Sequence, residues 1–277
     1  MTDKIKVTQL IGVMETLLPV LYSRVFETRQ PNPIIQDPIA VQWVEQIDYD
    51  FSCFDDAVKN HLGVAIRTVI FDRYTQTFLN QHPQATVINL AAGLDTRFYR
   101  MDNGQLRWIE LDLPESIAVR KQLMKETERH YTLEASALET DWMDELATDE
   151  PVLFIVEGLL MYFTEEQIKE MLGAITERFP NATLLLEIMG ETQAKKTHLN
   201  DAISKTNAEF KFGIRDASQM GQWHPNLHYI EDTSLYDLYE ERWLALDIDW
   251  KGKPISAYRN SIGRIVQLRV NHHQSPA

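Results

Sequence analysis

Three nearly uninterrupted apolar runs limit what this chain can fold into: TVINL around Val87, VLFIVE around Ile155 and TLLLEI around Leu185. A strand that is apolar on both faces needs cover on both faces, the usual condition of a parallel sheet flanked by helices. LRWIELD around Ile109 is a fourth candidate strand. Helical patterns separate the runs, so strands and helices alternate and an open, mostly parallel α/β sheet follows. Between the last two runs, Thr164 followed by Glu165, Glu166 and Gln167 forms a capping box. It predicts a helix running to about Arg178, ahead of Phe179 and Pro180.

The flanks read differently. Up to about Gln81 the pattern is helical, with a break at RQPNPIIQDP where Pro31, Pro33 and Pro38 stop a continuous helix. Near the carboxyl end, LALDIDW and IGRIVQLRV read as an antiparallel pair closing one sheet edge. Residues 190–240 fit the sheet pattern least and carry Phe210, Phe212, Trp223, His224, Tyr229, Tyr236 and Tyr239. Such a segment either covers a ligand or packs as an ordinary surface flap.

Composition narrows the function classes. With 277 residues, of which 44% are hydrophobic and 25% charged, the chain has ordinary globular make-up. Its formal charge of −14 repels phosphate backbones and anionic headgroups. The short KKTH run at Lys195 and Lys196 reads as a solvated helix face, so neither nucleic acid nor a membrane surface is an expected partner. Cys53 is the sole cysteine, which rules out an internal disulfide and a multi-cysteine zinc site and favours a reducing compartment. MTDKIKVTQL is charged, and Glu15 and Pro19 interrupt IGVMETLLPVLY, so a cytoplasmic protein without signal peptide or membrane span is expected. No metal site is expected.

Chemistry concentrates at strand ends. VINLAAGLDTRFYR sheds side-chain bulk at Ala91, Ala92 and Gly93 before Asp95, Thr96 and Arg97 restore polarity. This suits a plain strand-to-helix turn, or a ligand approaching the backbone at the carboxyl edge of the sheet. Asp112 follows Gly93 by 19 positions, at the end of the next strand, where nucleotide-binding α/β proteins hold ribose hydroxyls. A helix cap for PESIAVRKQL is the alternative, and Glu110, two residues earlier, points to the same side. Glu157 ends VLFIVE, where a carboxylate must be paired, hydrogen-bonded or wet; a cationic ligand or a protein arginine would serve. Arg67 falls on the helical stripe of Val64, Phe71, Tyr74 and Phe78, either to grip a ligand carboxylate or to snorkel at the core edge.

Together the ligand-binding readings specify a molecule with a ribose, a positive centre and a carboxylate, and S-adenosylmethionine has all three. NLAAGLDTRFYR, IELDLPESIAVRK and FIVEGLLMYFTEEQ resemble the leucine carboxyl methyltransferase superfamily, especially its bacterial branch associated with polyketide O-methylation. The similarity extends through LLPVLYSRVFETRQPNPIIQDPIA, AIRTVIFD and FKFGIRDASQMGQW. It implies a Rossmann-like class I methyltransferase fold: a seven-stranded, mostly parallel sheet with an antiparallel edge, flanking helices, an amino-terminal helical extension and a late insertion over the site. The expected organisation is one domain, with a helical extension at 1–81, a cofactor-binding core at 82–189, a substrate-covering insertion at 190–240 and closing strands at 241–277.

Carried over by position, Arg67 would hold the cofactor's carboxylate, and the Ala92–Gly93 backbone, beside Asp95, would pass its methionyl part. Asp112 would take the ribose, Ala137 and Leu138 would lie against adenine, and Glu157 would sit near the amino and sulfonium end. Two positions depart from the family. Ala91 stands where the turn usually has Gly, and Ala137 replaces an acid of the eukaryotic branch, leaving only backbone contact to adenine. The reaction implied is attack of a small-molecule hydroxyl or carboxylate on the sulfonium methyl. Tyr22, Tyr162, Trp223 and His224 are candidates to shape the acceptor pocket, with Tyr162 and His224 the candidates for catalysis. A protein carboxyl methyltransferase and a non-catalytic S-adenosylmethionine-binding protein are the alternatives. A nicotinamide oxidoreductase needs further glycines after Gly93 that LDTRFYR lacks.

Overall fold

Every residue of the strands Thr86–Leu90 (β1), Val152–Val156 (β4) and Ala182–Ile188 (β5) is buried, as their two-sided apolar sequences require. The computed structural model describes residues 4–8, 10, 15–146, 150–195 and 210–271. With Arg107–Asp112 (β2), His130–Glu134 (β3), Leu227–Ser234 (β6) and Arg264–Val270 (β7), these strands form one seven-stranded sheet in the order β3-β2-β1-β4-β5-β7-β6. Pairings are parallel from β3 to β5; β7 is antiparallel to both β5 and β6. The strand order reverses between β1 and β4, which both run parallel, so the carboxyl ends of β1, β2 and β4 open a crevice there.

Helices cover both faces. Glu165–Arg178 (α7) starts with the Thr164–Gln167 capping box and packs Ile168, Met171, Leu172 and Ile175 onto one face. Val58–Gln81 (α3) packs Leu62, Ile66, Ile70 and Phe71 onto the other. Leu17–Thr28 (α1) and Pro38–Gln46 (α2) join a third cluster with Leu21, Val25, Trp43 and Phe54, on either side of the proline-rich break. Phe98–Met101 (α4) follows β1, Pro114–Leu123 (α5) follows β2 and Asp141–Leu146 (α6) follows β3.

The carboxyl end corrects the expected closing pair. β7 forms within IGRIVQLRV, but its partner is β6, not LALDIDW. That second run begins inside the short helix Glu240–Leu244 and continues without strand, packing Leu246, Ile248 and Trp250 at the rim of the α3-side core. Hence the segment expected as a pure insertion, 190–240, supplies an edge strand; its stretch 196–209 lies outside the described residues. Among the described residues no helix is long and apolar enough to cross a membrane.

Candidate active site

The strand-to-helix turn after β1 is the mechanical centre of the crevice. Ala91 has φ +52° and Gly93 φ +49°, so two of three small residues occupy the left-handed region. A Cβ on Gly93 would also fall 2.5 Å from Leu17 Cδ2. Buried guanidiniums grip the outward carbonyls: Arg120 donates to Gly93 O and Asp95 O, both at 2.7 Å, and Arg24 donates to Leu94 O at 2.6 Å. The turn's Gly93 N–H is held by Asp112 Oδ2 at 2.7 Å. Ala91 pays a steric cost of about 1–2 kcal/mol in that conformation. Ala91→Gly is therefore expected to raise stability by about 0.5–1 kcal/mol, after the extra unfolded-state freedom of glycine is subtracted. Chemical denaturation measures it, and a loss of stability would contradict the strain.

Glu110 and Asp112, indistinguishable by spacing, separate cleanly. Glu110 is fully buried under the sheet edge, accepting from Asn89 Nδ2 at 2.9 Å and from Arg120, with His130 Nε2 at 3.0 Å. Asp112 faces the crevice. Its Oδ1 accepts from Leu113 N–H at 2.7 Å. Burial pushes its carboxyl above the ordinary value despite the Gly93 and Leu113 N–H groups.

Glu157 meets arginine, not open solvent. Its Oε1 lies 2.8 Å from Arg67 Nε, an ion contact without hydrogen-bond alignment, and its Oε2 accepts from Arg97 Nη2 at 2.7 Å. Burial opposes its ionisation, but Arg67 and Arg97 outweigh burial and hold the carboxyl below its ordinary value. Arg97 also donates to Asp72 at 2.7 Å and bonds Asp95. For Asp95 too, burial loses to neighbouring arginines, Arg97 foremost, and the carboxyl is held low. Arg67 Nη1 donates to Glu187 Oε2 at 3.0 Å, while its Nη2 bonds no described residue. Glu187, at the end of β5, had the same signal in the sequence as Glu157: a carboxylate closing an apolar strand.

One cavity of about 920 Å³ is lined by Arg67, Ala92, Gly93, Asp95, Asp112, Ala137, Leu138, Glu157 and Tyr162, with Glu187 beside them. Tyr162 is hydrogen-bonded to Thr16, and burial raises its pKa. Three expected acceptor residues lie elsewhere. Tyr22 stacks on Phe51 at 5.5 Å between ring centres and donates to Asp55. Burial, then Asp55, pushes its hydroxyl pKa to about 12. Trp223 packs on Phe212 and under Lys169, because its loop seats it against α7. His224 accepts from Asn226 N–H at 3.2 Å and stands 3.9 Å from Glu177 of α7. None of the three lines the cavity.

Residues 18–176 match the leucine carboxyl methyltransferase family. The tetracenomycin polyketide synthesis O-methyltransferase TcmP of Streptomyces glaucescens is 33% identical over 230 residues, covering 83% of this chain and 85% of that protein. The chain belongs to the leucine carboxyl methyltransferase family. A second relative, the S-adenosyl-L-methionine-dependent methyltransferase dpfgK of Gibberella zeae, is 32% identical over 252 residues, 83% of this chain and 84% of that one. Among solved structures, a DUF574-family protein from Streptomyces avermitilis superposes with a TM-score of 0.56 at 13% identity, over 91% of this chain and 97% of that one, a likeness of fold. This leucine carboxyl methyltransferase family member is an S-adenosylmethionine-dependent methyltransferase with a Rossmann-like fold.

The cavity's residues suit that cofactor. Arg67 keeps one terminal nitrogen for a carboxylate, and two ionised acids, Asp95 and Glu157, supply negative charge. Gly158, at φ +69°, leaves backbone uncovered, since a Cβ there would meet only Arg67 Nη1, at 3.9 Å.

Proposed function

We propose that this methyltransferase transfers its methyl group to an oxygen of a small aromatic molecule. The observation that carries this is the aromatic share of the same cavity's lining: Tyr162, Phe163, Phe210, Tyr236, Trp243 and Tyr258. Flat aromatic walls select flat ligands, because ring faces and edges attract one another beyond simple area burial. The volume stands near the top of the ~300–1,000 Å³ span of small-molecule sites, which suits an acceptor lying beside a nucleoside-sized cofactor. The relationship to an enzyme named for polyketide O-methylation supports the same class.

In this reading Arg67 Nη2 takes the cofactor's carboxylate, Asp112 the ribose hydroxyls, and Ala137–Leu138 the adenine. Ala92–Gly93 and Asp95 flank the methionyl part, with Glu157 near the ammonium and sulfonium. Bound S-adenosylmethionine supplies an electron-poor methyl carbon. The chain's own part is to align the acceptor oxygen with that carbon and to exclude water, which needs orientation more than acid catalysis. Incubation with methyl-labelled S-adenosylmethionine and a panel of aromatic phenols and acids tests the proposal. Label is expected in extractable small molecules. Label confined to a protein acceptor would refute it.

A further inference from the structure

We propose that Glu187 is the general base that receives the proton of the acceptor's hydroxyl, so that the acceptor of this site is a neutral phenol or alcohol. The inference rests on the O-methyl transfer reading and narrows it.

Glu187 is 5% exposed, yet it lines the cavity. β5 lies between β4 and β7; Glu187 is paired to Ile265 of β7, and the ladder to β4 ends one residue earlier, at Leu186. The two carboxylate oxygens differ. Oε2 accepts from Gly158 N–H at 2.7 Å and from Arg67 Nη1 at 3.0 Å. Oε1 has only a long 3.3 Å contact to Arg67 among the described residues. One oxygen is thus anchored by two donors while the other keeps lone-pair capacity.

Space is kept in front of that oxygen. Gly263, on the adjoining strand's entry, also lines the cavity, and a Cβ there would lie 3.5 Å from Glu187 Oε1 and 3.3 Å from Leu235 Cδ1. A side chain at 263 would occupy the position from which a hydroxyl can reach Oε1. Glu157 has no comparable opening, since each of its oxygens faces an arginine.

Charge points the same way. The groups facing Glu187 are Arg67 from α3, Glu157 beyond β4 and the Tyr162 hydroxyl. Burial, against the pull of Arg67, raises its proton affinity, which makes it a stronger base than an ordinary glutamate. An acceptor carboxylate would stand against two protein carboxylates, with the free Nη2 of Arg67 assigned to the cofactor's carboxylate, whereas a neutral hydroxyl donates to Oε1. In the step itself the acceptor O–H bond breaks and its proton goes to Oε1. The acceptor oxygen's electron pair bonds the methyl carbon, the carbon–sulfur pair stays on sulfur as a neutral thioether, and the proton then passes from Glu187 to solvent.

Glu187→Gln and Gly263→Ala test this with phenols graded in acidity, alongside calorimetric S-adenosylmethionine binding. Glu187→Gln is expected to slow methylation of weakly acidic phenols by about 10²–10⁴-fold, the worth of a positioned base. The loss should shrink steadily as the phenol's own pKa falls toward ionisation, with cofactor binding retained. Gly263→Ala is expected to raise the acceptor KM without weakening cofactor binding. A loss that ignores phenol acidity, or no loss with weakly acidic phenols, overturns the base role. Transfer by the wild-type protein to carboxylic acids and to no phenol overturns the hydroxyl choice; transfer to neither class overturns the O-methyl transfer reading beneath it.

Discussion

Replacing Arg97 by methionine is expected to lower the unfolding free energy by about 3–5 kcal/mol at neutral pH, the usual cost of removing one partner from a buried ion pair. Arg97 is 1% exposed and serves Asp72, Asp95 and Glu157 at once. Methionine fills the space over Phe71 but leaves Asp95 deep in the protein with its principal counter-charge gone, and Glu157 with Arg67 as its one remaining close arginine. The pH dependence gives the effect a signature that cavity formation lacks. In the native protein Asp37, Asp95 and Glu157 are held below their ordinary pKa values. Their stabilisation is therefore complete above the unfolded values near ~4 and is lost as pH falls through the lower folded values. Glu187 and Asp112, raised by burial, act in the opposite sense: their contribution is present below ~4 and fades as pH rises through their folded values. Without Arg97, the folded-state pKa of Asp95 rises and that of Glu157 rises by less, since Arg67 stays beside it, so the deficit of the variant should shrink on acidification toward pH ~4. Denaturant titrations at both pH values measure this. A deficit independent of pH would assign the loss to packing.

The parts of the fold that could be read from the sequence are those whose residues state both period and burial. VLFIVE and TLLLEI are apolar up to their closing carboxylates, save Thr183, because helices cover both faces, and the strands form where the runs lie. α7 could be placed almost to the residue, because a capping box is a local bond pattern between Thr164 and Gln167. β3 and β6 were missed, for one shared reason. Both are edge strands, and an edge strand tolerates polar groups on its open side. HYTLE is only half-buried beyond His130, and LHYIEDTS carries Glu231 and Asp232 with a register shift between Tyr229 and Glu231. LALDIDW has the alternation of a strand but finds no free edge, since β6 already occupies β7's outer side.

Within the site, the small residues and the strand-end acids could be picked out singly because each breaks a local pattern. Their partners could not. Glu157 is joined to Arg97 across 60 positions, and Arg67, which also meets Glu157, is joined to Glu187 across 120. No local spacing encodes which arginine meets which carboxylate. His224 and Trp223 lie outside the cavity for the converse reason: side chains suited to a pocket, on a loop that sits against α7. The alanine at 91 was visible as a departure, but only the +52° backbone angle shows why glycine is the easier residue there.

Asp112→Asn is expected to separate binding from stability. Cofactor affinity should fall about 10–100-fold, the equivalent of about 1.5–3 kcal/mol for hydrogen bonds to a charged acceptor. Stability at neutral pH should change by less than about 1 kcal/mol, and the physical reason is the raised pKa of Asp112. Burial makes the ionised form costly, so its contribution to folding is positive only below the unfolded value near ~4 and is gone once pH exceeds the folded value. An amide removes that cost, keeps one oxygen for the Gly93 N–H and gives up the contact at Leu113, so the two changes oppose each other. A ribose diol gains nothing from this balance, because it donates two hydrogen bonds and the amide has only one oxygen to receive them. Calorimetric titration with S-adenosylmethionine, paired with a denaturation curve, reads both quantities on one preparation. Unaltered affinity in the folded variant would take Asp112 out of the ribose site, and the carboxylate would then be a brace for the Gly93 turn alone.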